Sequence, residues 1–176
     1  YRRFREVFGY VPRKNSKSTY VAGLVNYLHF VNEDRHDGSE IYMCAAERDQ
    51  ASIIFDIAKQ QAQHDNELSK RGLFQRYLVL SKDRSCMYRA LSADGETKMG
   101  YNPSAIIVDE LHVMPTPKAG KTGLIDTLET GQVNRPNSLL LYITTADHAG
   151  ESICNEKYTY AKEVRDNPDV VDPHFL

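Results

Sequence analysis

The sequence predicts an α/β fold, a mostly parallel sheet with helices on both faces. Strand-like apolar runs alternate with helical segments from end to end, and runs such as "IYMCAA" and "AIIV" are continuously apolar. Continuous apolar runs belong to strands covered on both sides. Strand–helix alternation joins parallel strands through right-handed crossovers.

Taken in order, "FREVFGYV" (residues 4–11) is apolar and aromatic and reads as a buried strand. "STYVAGLVNYLHFVN" carries Val21, Leu24, Val25, Leu28 and Val31 at helical spacing. The polar turn "EDRHDGSE" leads to the strand "IYMCAA", and "ERDQASIIFDIAKQQAQHD" is a second amphipathic helix. "YLVLS" and "SCMYRALS" flank "KDR" as a hairpin. "AIIVDE" is another buried strand, "GLIDTLETGQV" a helix, "SLLLYITTA" a strand, and "SICNEKYTYAKEVRDN" a helix ended by Pro168. Strands at 7–11, 41–45, 105–109 and 139–144 are expected side by side with their C-terminal ends on one edge, where ligands bind in open α/β sheets.

Bulk properties bound the rest. A chain of 176 residues fits one domain over 1–176 and can bury a full core. With 41% hydrophobic and 26% charged residues it has the composition of an ordinary globular protein. A net charge of -2 argues against coating nucleic acid through bulk positive potential, though not against local basic contacts. Cys44, Cys86 and Cys154 are odd in number, with no CxxC, so neither a disulfide framework nor a zinc site is indicated. No apolar run approaches a membrane span and no signal peptide is visible. The chain begins at Tyr1 rather than Met and ends in "DPHFL", so a piece of a longer polypeptide is expected. Eleven tyrosines are scattered rather than clustered, as packing residues would be.

Two segments compete as phosphate loops. Such a loop works because backbone N–H groups and a helix N-terminus converge on the anion. A Lys then reaches the β- and γ-phosphates, and the following Ser or Thr ligates Mg²⁺. It must therefore lie between a buried strand and a helix. "VPRKNSKST" (11–19) does, with Lys17 and Ser18 in the required positions. "KAGKTG" (118–123) has an intact Gly120-Lys121-Thr122 but follows a Pro-containing loop and reads as a helix entry. The first candidate lacks both motif glycines: Val11 and Ser16 occupy their places. Glycine permits φ > 0 and close approach to phosphate; Ser16 keeps the N–H and is small.

Asp109 and Glu110 end the apolar strand "AIIVDE". In a phosphoryl-transfer site the Asp holds Mg²⁺ while the adjacent carboxylate activates water; the same pair is also an ordinary strand exit. Thr144 and Thr145 end "LLLYITT", where hydroxyls can sense a γ-phosphate or merely serve as β-branched strand residues. His112 in "DELH" is either a nucleotide sensor or a local hydrogen-bonding group.

Together, "VPRKNSKST", "AAERDQASIIFDIA", "MGYNPSAIIVDELH" and "LYITTAD" resemble, in order, the phosphate loop, second strand and helix, Walker B region and coupling motif of one family. It is the ATPase domain of the large terminase subunit of tailed bacteriophages. The resemblance implies an ASCE-type P-loop NTPase using ATP and Mg²⁺, a motor that threads double-stranded viral DNA into a procapsid. It implies portal protein and small terminase subunit as partners, a homo-oligomeric ring on the procapsid, a site of action in the bacterial host cytoplasm and no membrane. A nuclease domain with an RNase H-like fold would follow, making the full-length protein an endonuclease as well. Carried over position by position, the loop Arg13, Lys14, Asn15, Ser16, Lys17, Ser18, Thr19 binds nucleotide, with Ser18 and Asp109 on Mg²⁺. Glu110 is then the catalytic carboxylate, Arg13 a candidate cis arginine finger or a surface Arg, and Thr144 and Thr145 the coupling residues. Arg48 and Gln50 match the family segment without a derivable role. Ser16 is the departure from the pattern.

Two other classes compete. A helicase-like P-loop ATPase would need a second motor domain, and a kinase would need an Arg-rich lid and an acceptor pocket. A degenerate loop acting as a docking platform is favoured by Ser16 and opposed by Lys17, Ser18, Asp109 and Glu110.

Overall fold

The computed structural model describes residues 2–32, 38–93, 100–115, 122–145 and 152–176. In chain order the elements are β1 (Glu6–Tyr10), α1 (Lys17–Phe30), β2 (Glu40–Ala45), α2 (Arg48–His64), β3 (Gly72–Phe74), β4 (Leu78–Ser81) and β5 (Met87–Ser92). Then come β6 (Ala105–Asp109), a 3-10 turn (Leu111–Val113), α3 (Leu124–Gln132), β7 (Leu139–Thr144) and α4 (Ile153–Asp166).

Among the described residues the strands form one sheet in the order β1-β7-β6-β2-β5-β4-β3. β1, β7, β6, β2 and β5 are mutually parallel; β4 and β3 continue the sheet antiparallel. The strand bearing the paired threonines thus lies between the phosphate-loop strand and the strand bearing the paired acids. Register aligns their ends: Tyr10 faces Thr144, and Asp109 faces Ile143. The expected common edge is present, with Lys17 and Asp109 on it.

The continuously apolar strands divide their side chains between two cores, because successive residues point to opposite faces. Ile41, Met43, Ala105, Ile107, Leu141 and Ile143 pack beneath α1 and α2. Tyr42, Cys44, Ile106, Val108, Leu140 and Tyr142 pack against α3 and the start of α4. Both faces are therefore covered. α1 buries Val21, Val25 and Leu28 as its spacing predicts, but Val31 caps the helix end and is exposed. Asn26 ties α1 to α2 by donating to the Ala58 carbonyl at 2.9 Å. The three cysteines are free and buried, and burial pushes the Cys44 thiol up to about 12, so it stays protonated at neutral pH. Among the described residues no helix is long and apolar enough to cross a membrane.

Candidate active site

The loop after β1 leaves the sheet only beyond Val11, whose N–H still donates to the Thr144 carbonyl at 3.0 Å. Asn15 closes the following turn by donating from its side chain to the Pro12 carbonyl at 3.2 Å. Lys14 and Ser16 have φ of 67° and 55°, the left-handed region. Side chains there cost roughly 1–2 kcal/mol because Cβ crowds the following carbonyl. Ser16, standing where the motif has glycine, therefore keeps the glycine-type backbone and bears its strain. Its carbonyl accepts from Tyr20 N–H at 3.0 Å and starts α1, and the first turn contains no acidic residue. The helix N-terminus and its unpaired N–H groups are thus left for an anion from outside the helix.

Arg13, Lys14, Asn15, Ser16 and Thr19 are exposed, whereas Lys17 and Ser18 are half-buried. Lys17 is the residue that reaches inward. Its Nζ donates to Glu110 Oε1 and lies 3.9 Å from Asp109 Oδ1. Residues 93 positions apart meet because parallel register brings both strand ends to one edge. Asp109 is buried, and Gln50 at the start of α2 donates to its Oδ2 at 3.4 Å. Asp109 Oδ1 is buried without a hydrogen-bond partner. Burial raises the Asp109 carboxyl above the ordinary carboxylate range, with Lys17 pulling the other way and Glu110 adding to the rise.

Glu110 follows with φ 52°, again left-handed, which turns its carboxylate out of the strand direction and across the sheet edge toward Lys17. Its Oε2 accepts from Thr145 Oγ1 at 3.4 Å and lies 3.2 Å from His112 Nδ1. That imidazole nitrogen also lies 3.1 Å from Thr144 Oγ1, and His112 N–H donates to the same hydroxyl at 3.4 Å. Thr144 is backed by Cys154 Sγ of α4 at 3.8 Å. One connected polar network thus runs from the phosphate loop through both acids to the end of β7.

The network brings together Lys17, Asp109, Glu110, Thr144 and Thr145 of the residues singled out in the sequence. Arg13 stands apart: no side-chain contact joins it to the cluster. Ser18 is beside Lys17 on α1, and Thr19 turns outward, its carbonyl accepting from Gln61 at 3.3 Å. Sequence reasoning missed Gln50 as the partner of Asp109 and His112 as the bridge between Glu110 and Thr144. For Gln50 the available signal was its place just after a parallel strand, at the functional edge. Of the rival loop, Gly120 and Lys121 lie outside the described residues. Gly123 caps α3, and its N–H donates to Asp126 Oδ2 at 3.0 Å, as a helix entry does.

The chemistry of this donor set fits a divalent cation. Asp109 Oδ1 accepts no hydrogen bond among the described residues and has the Lys17 ammonium 3.9 Å away, so a cation in direct contact would offset its burial, and carboxylate plus hydroxyl oxygens are the ligands Mg²⁺ takes.

Comparison with known proteins agrees with this geometry. The family model "Terminase large subunit, ATPase domain" matches residues 1–163. The chain is similar to the large terminase subunit of Enterobacteria phage HK97, 28% identical over 144 residues, covering 77% of this chain and 26% of that protein. Among solved structures it is similar to the HK97 bacteriophage large terminase, with TM-score 0.79, 24% identity and coverage of 98% of this chain and 34% of that one. For the Thermus phage P74-26 large terminase ATPase domain the TM-score is 0.65 at 21% identity, covering 86% of this chain and 62% of that one. The fold they share with this chain is the P-loop NTPase fold. The chain spans about a quarter of the curated HK97 relative.

Proposed function

The chain belongs to the terminase large-subunit ATPase domain family, and from that premise we propose that it hydrolyses ATP to drive double-stranded viral DNA into a procapsid. The observation that carries the reading is the meeting of Lys17 with Asp109 and Glu110 at the C-terminal edge of parallel strands.

Lys17 and the N–H groups of the loop bind the β- and γ-phosphates. Ser18 and Asp109 would hold Mg²⁺, which when bound with nucleotide offsets charge developing on the transferred phosphoryl group. Gln50 fixes one oxygen of Asp109 and leaves the other for the cation. Glu110 accepts the proton of the attacking water, a contribution of about 10² to 10⁴ in rate. Thr145 and His112 orient its second oxygen. Lys17 pairs with Glu110, so a lysine that engages phosphate gives up that pair and frees the carboxylate for the water. Thr144 and Thr145 report that exchange to β7 and α4. Arg13, exposed at the mouth of the loop, reaches the phosphates from solvent.

The partners follow from the same reading: portal protein, small terminase subunit and further copies of the chain in a ring on the procapsid, in the bacterial cytoplasm. An endonuclease activity belongs to a separate domain of the full-length protein. The test is ATP turnover with Mg²⁺ and with the metal chelated. Turnover that requires Mg²⁺ is expected; ATP bound without any turnover supports the docking platform instead. Packaging of DNA into procapsids by the intact protein distinguishes a translocating motor from another P-loop ATPase.

A further inference from the structure

The sheet has a second functional edge. From Lys70 to Arg89 the chain carries six Lys and Arg against one acid, Asp83, a net of +5. The whole chain has 22 basic and 24 acidic residues, so the remainder has 16 against 23, a net of -7. Five of the six cations lie in the turns before β3, between β3 and β4 and after β4, and the sixth, Arg89, is on β5 over the Tyr42 and Tyr101 rings. Lys70, Arg71, Arg76, Lys82 and Arg84 are all exposed. Lys70 is offset by Glu67 at 3.0 Å, and Asp83 is engaged by Ser81 and Ser85.

The arrangement goes beyond protecting a sheet edge. Lysines on edge strands commonly block edge-to-edge pairing, but that requires no crowding of like charges. Here Lys82 N–H donates to the Arg71 carbonyl at 2.9 Å, so two basic residues stand opposite each other at the open end of the hairpin, with Asp65 the acid that acts on Arg71. Like charges directly opposite destabilise a strand pair, a cost that an external polyanion would relieve. At the other end of the hairpin, Arg76 lies 5.0 Å from the ring centroid of Tyr77, which is 50% exposed. Arg76 and Lys82 flank β4 six residues apart, about 20 Å at roughly 3.3 Å per extended residue, so the hairpin presents cations at both of its ends.

We propose that the β3–β4 hairpin is a docking surface for the phosphate backbone of duplex DNA, with Arg71, Arg76, Lys82 and Arg84 as its contacts. The proposal rests on the DNA-translocating reading above and adds where the duplex sits: at the far end of the sheet from the phosphate-loop strand, leaving the nucleotide edge clear. α2 links the two, since its Lys59 donates to the Gln75 carbonyl in the hairpin at 2.8 Å and its Gln50 reaches Asp109.

The experiment is fluorescence anisotropy of a mixed-sequence 30-base-pair duplex titrated with the intact protein across a salt series. Lys82→Ala/Arg84→Ala is compared with Lys162→Ala/Arg165→Ala, which removes the same charge from α4. The hairpin variant should bind at least tenfold more weakly at low salt. Its log K against log salt slope should be shallower by about 2, since each phosphate contact contributes about 0.9. The α4 variant should bind as the parent does. Both should keep the parent's DNA-free ATP turnover, which reports an intact fold, and Arg76→Ala repeats the test at the other end of the hairpin. Equal affinities and slopes for both double variants overturn the proposal. So does a hairpin variant that keeps duplex affinity but loses an acidic protein partner, or a parent that prefers single strands. A parent with no ATP turnover but the expected duplex pattern refutes the catalytic reading alone.

Discussion

The nucleotide edge and the β3–β4 hairpin solve opposite problems with charge. At the nucleotide edge the charged groups of the polar network, Lys17, Asp109 and Glu110, are half-buried or deeper and bound to others: Lys17 to Glu110, Glu110 to Thr145, Asp109 to Gln50. Three backbone positions there, Lys14, Ser16 and Glu110, are held left-handed without glycine. On the hairpin the cations are exposed, and such contacts as they make, Lys70 with Glu67 and Arg76 with Tyr77, are at the surface. Catalysis needs preorganised groups whose fields act in low dielectric, so that edge spends stability on burial and strain. A backbone-reading surface needs only reach and sign, so the hairpin spends little beyond mutual repulsion.

The largest expected effect comes from emptying the nucleotide edge of its cation. Lys17→Ala should weaken ATP binding by about 10- to 100-fold, since a hydrogen bond to a charged group is worth about 1.5–3 kcal/mol. Lys121→Ala should leave affinity near the parent's. Isothermal titration of ATP into both variants decides; equal losses would mean the phosphate contact is shared by the rival loop.

Asp109→Asn should separate function from stability. Because burial raises the Asp109 carboxyl in the folded state, its ionisation subtracts stability. That stability is intact below the ordinary carboxylate pKa and is lost as pH rises through the raised, folded-state value. The Asn variant should therefore melt higher than the parent at neutral pH, with the gap closing as the pH is lowered toward the ordinary carboxylate range. Its Mg²⁺-dependent turnover should vanish. A variant that melts lower at neutral pH would show that the carboxylate stabilises the edge.

Ser16→Gly relieves a left-handed side chain and lets the loop close on phosphate. A gain in ATP affinity of about 1 kcal/mol, the worth of one improved backbone contact, is expected, roughly fivefold by titration, with the chemical step unchanged. No gain would place the weakness of this loop elsewhere than in its backbone.

The smallest effect belongs to the hairpin. Lys82→Ala removes the charge opposite Arg71 and should stabilise the fold by a few tenths of a kcal/mol, read from chemical denaturation. Destabilisation would mean that the two side chains are not in conflict, and would remove one support for the hairpin as a polyanion site.

Much of the nucleotide edge was legible in the sequence because its signals are local. A buried strand before Lys17-Ser18, a helix after it, and acids at the end of "AIIVD" need no knowledge of tertiary contacts. That four parallel strands lie side by side with their C-terminal ends on one edge followed from strand–helix alternation; their order did not. Three features were not legible. β3 spans only Gly72–Phe74, too short to show a period. The contacts of Gln50 with Asp109 and of His112 with Thr144 join residues 59 and 32 positions apart, which only the register of the sheet brings together. The left-handed backbone at Ser16 and Glu110 runs against residue preference and is imposed by the surrounding structure. The charge of the hairpin was in the sequence throughout, masked by a net total near zero.

The central claim, that this edge hydrolyses ATP with Glu110 as its base, is tested most directly by Glu110→Gln, assayed for ATP affinity and single-turnover hydrolysis in the same preparation. The amide keeps the shape but cannot take the water's proton, and it releases Lys17 from its ion pair. ATP should bind at least as tightly as to the parent, while the hydrolytic step slows by about 10² to 10⁴. Hydrolysis at the parent rate in the Gln variant would contradict the account and move the base to another residue.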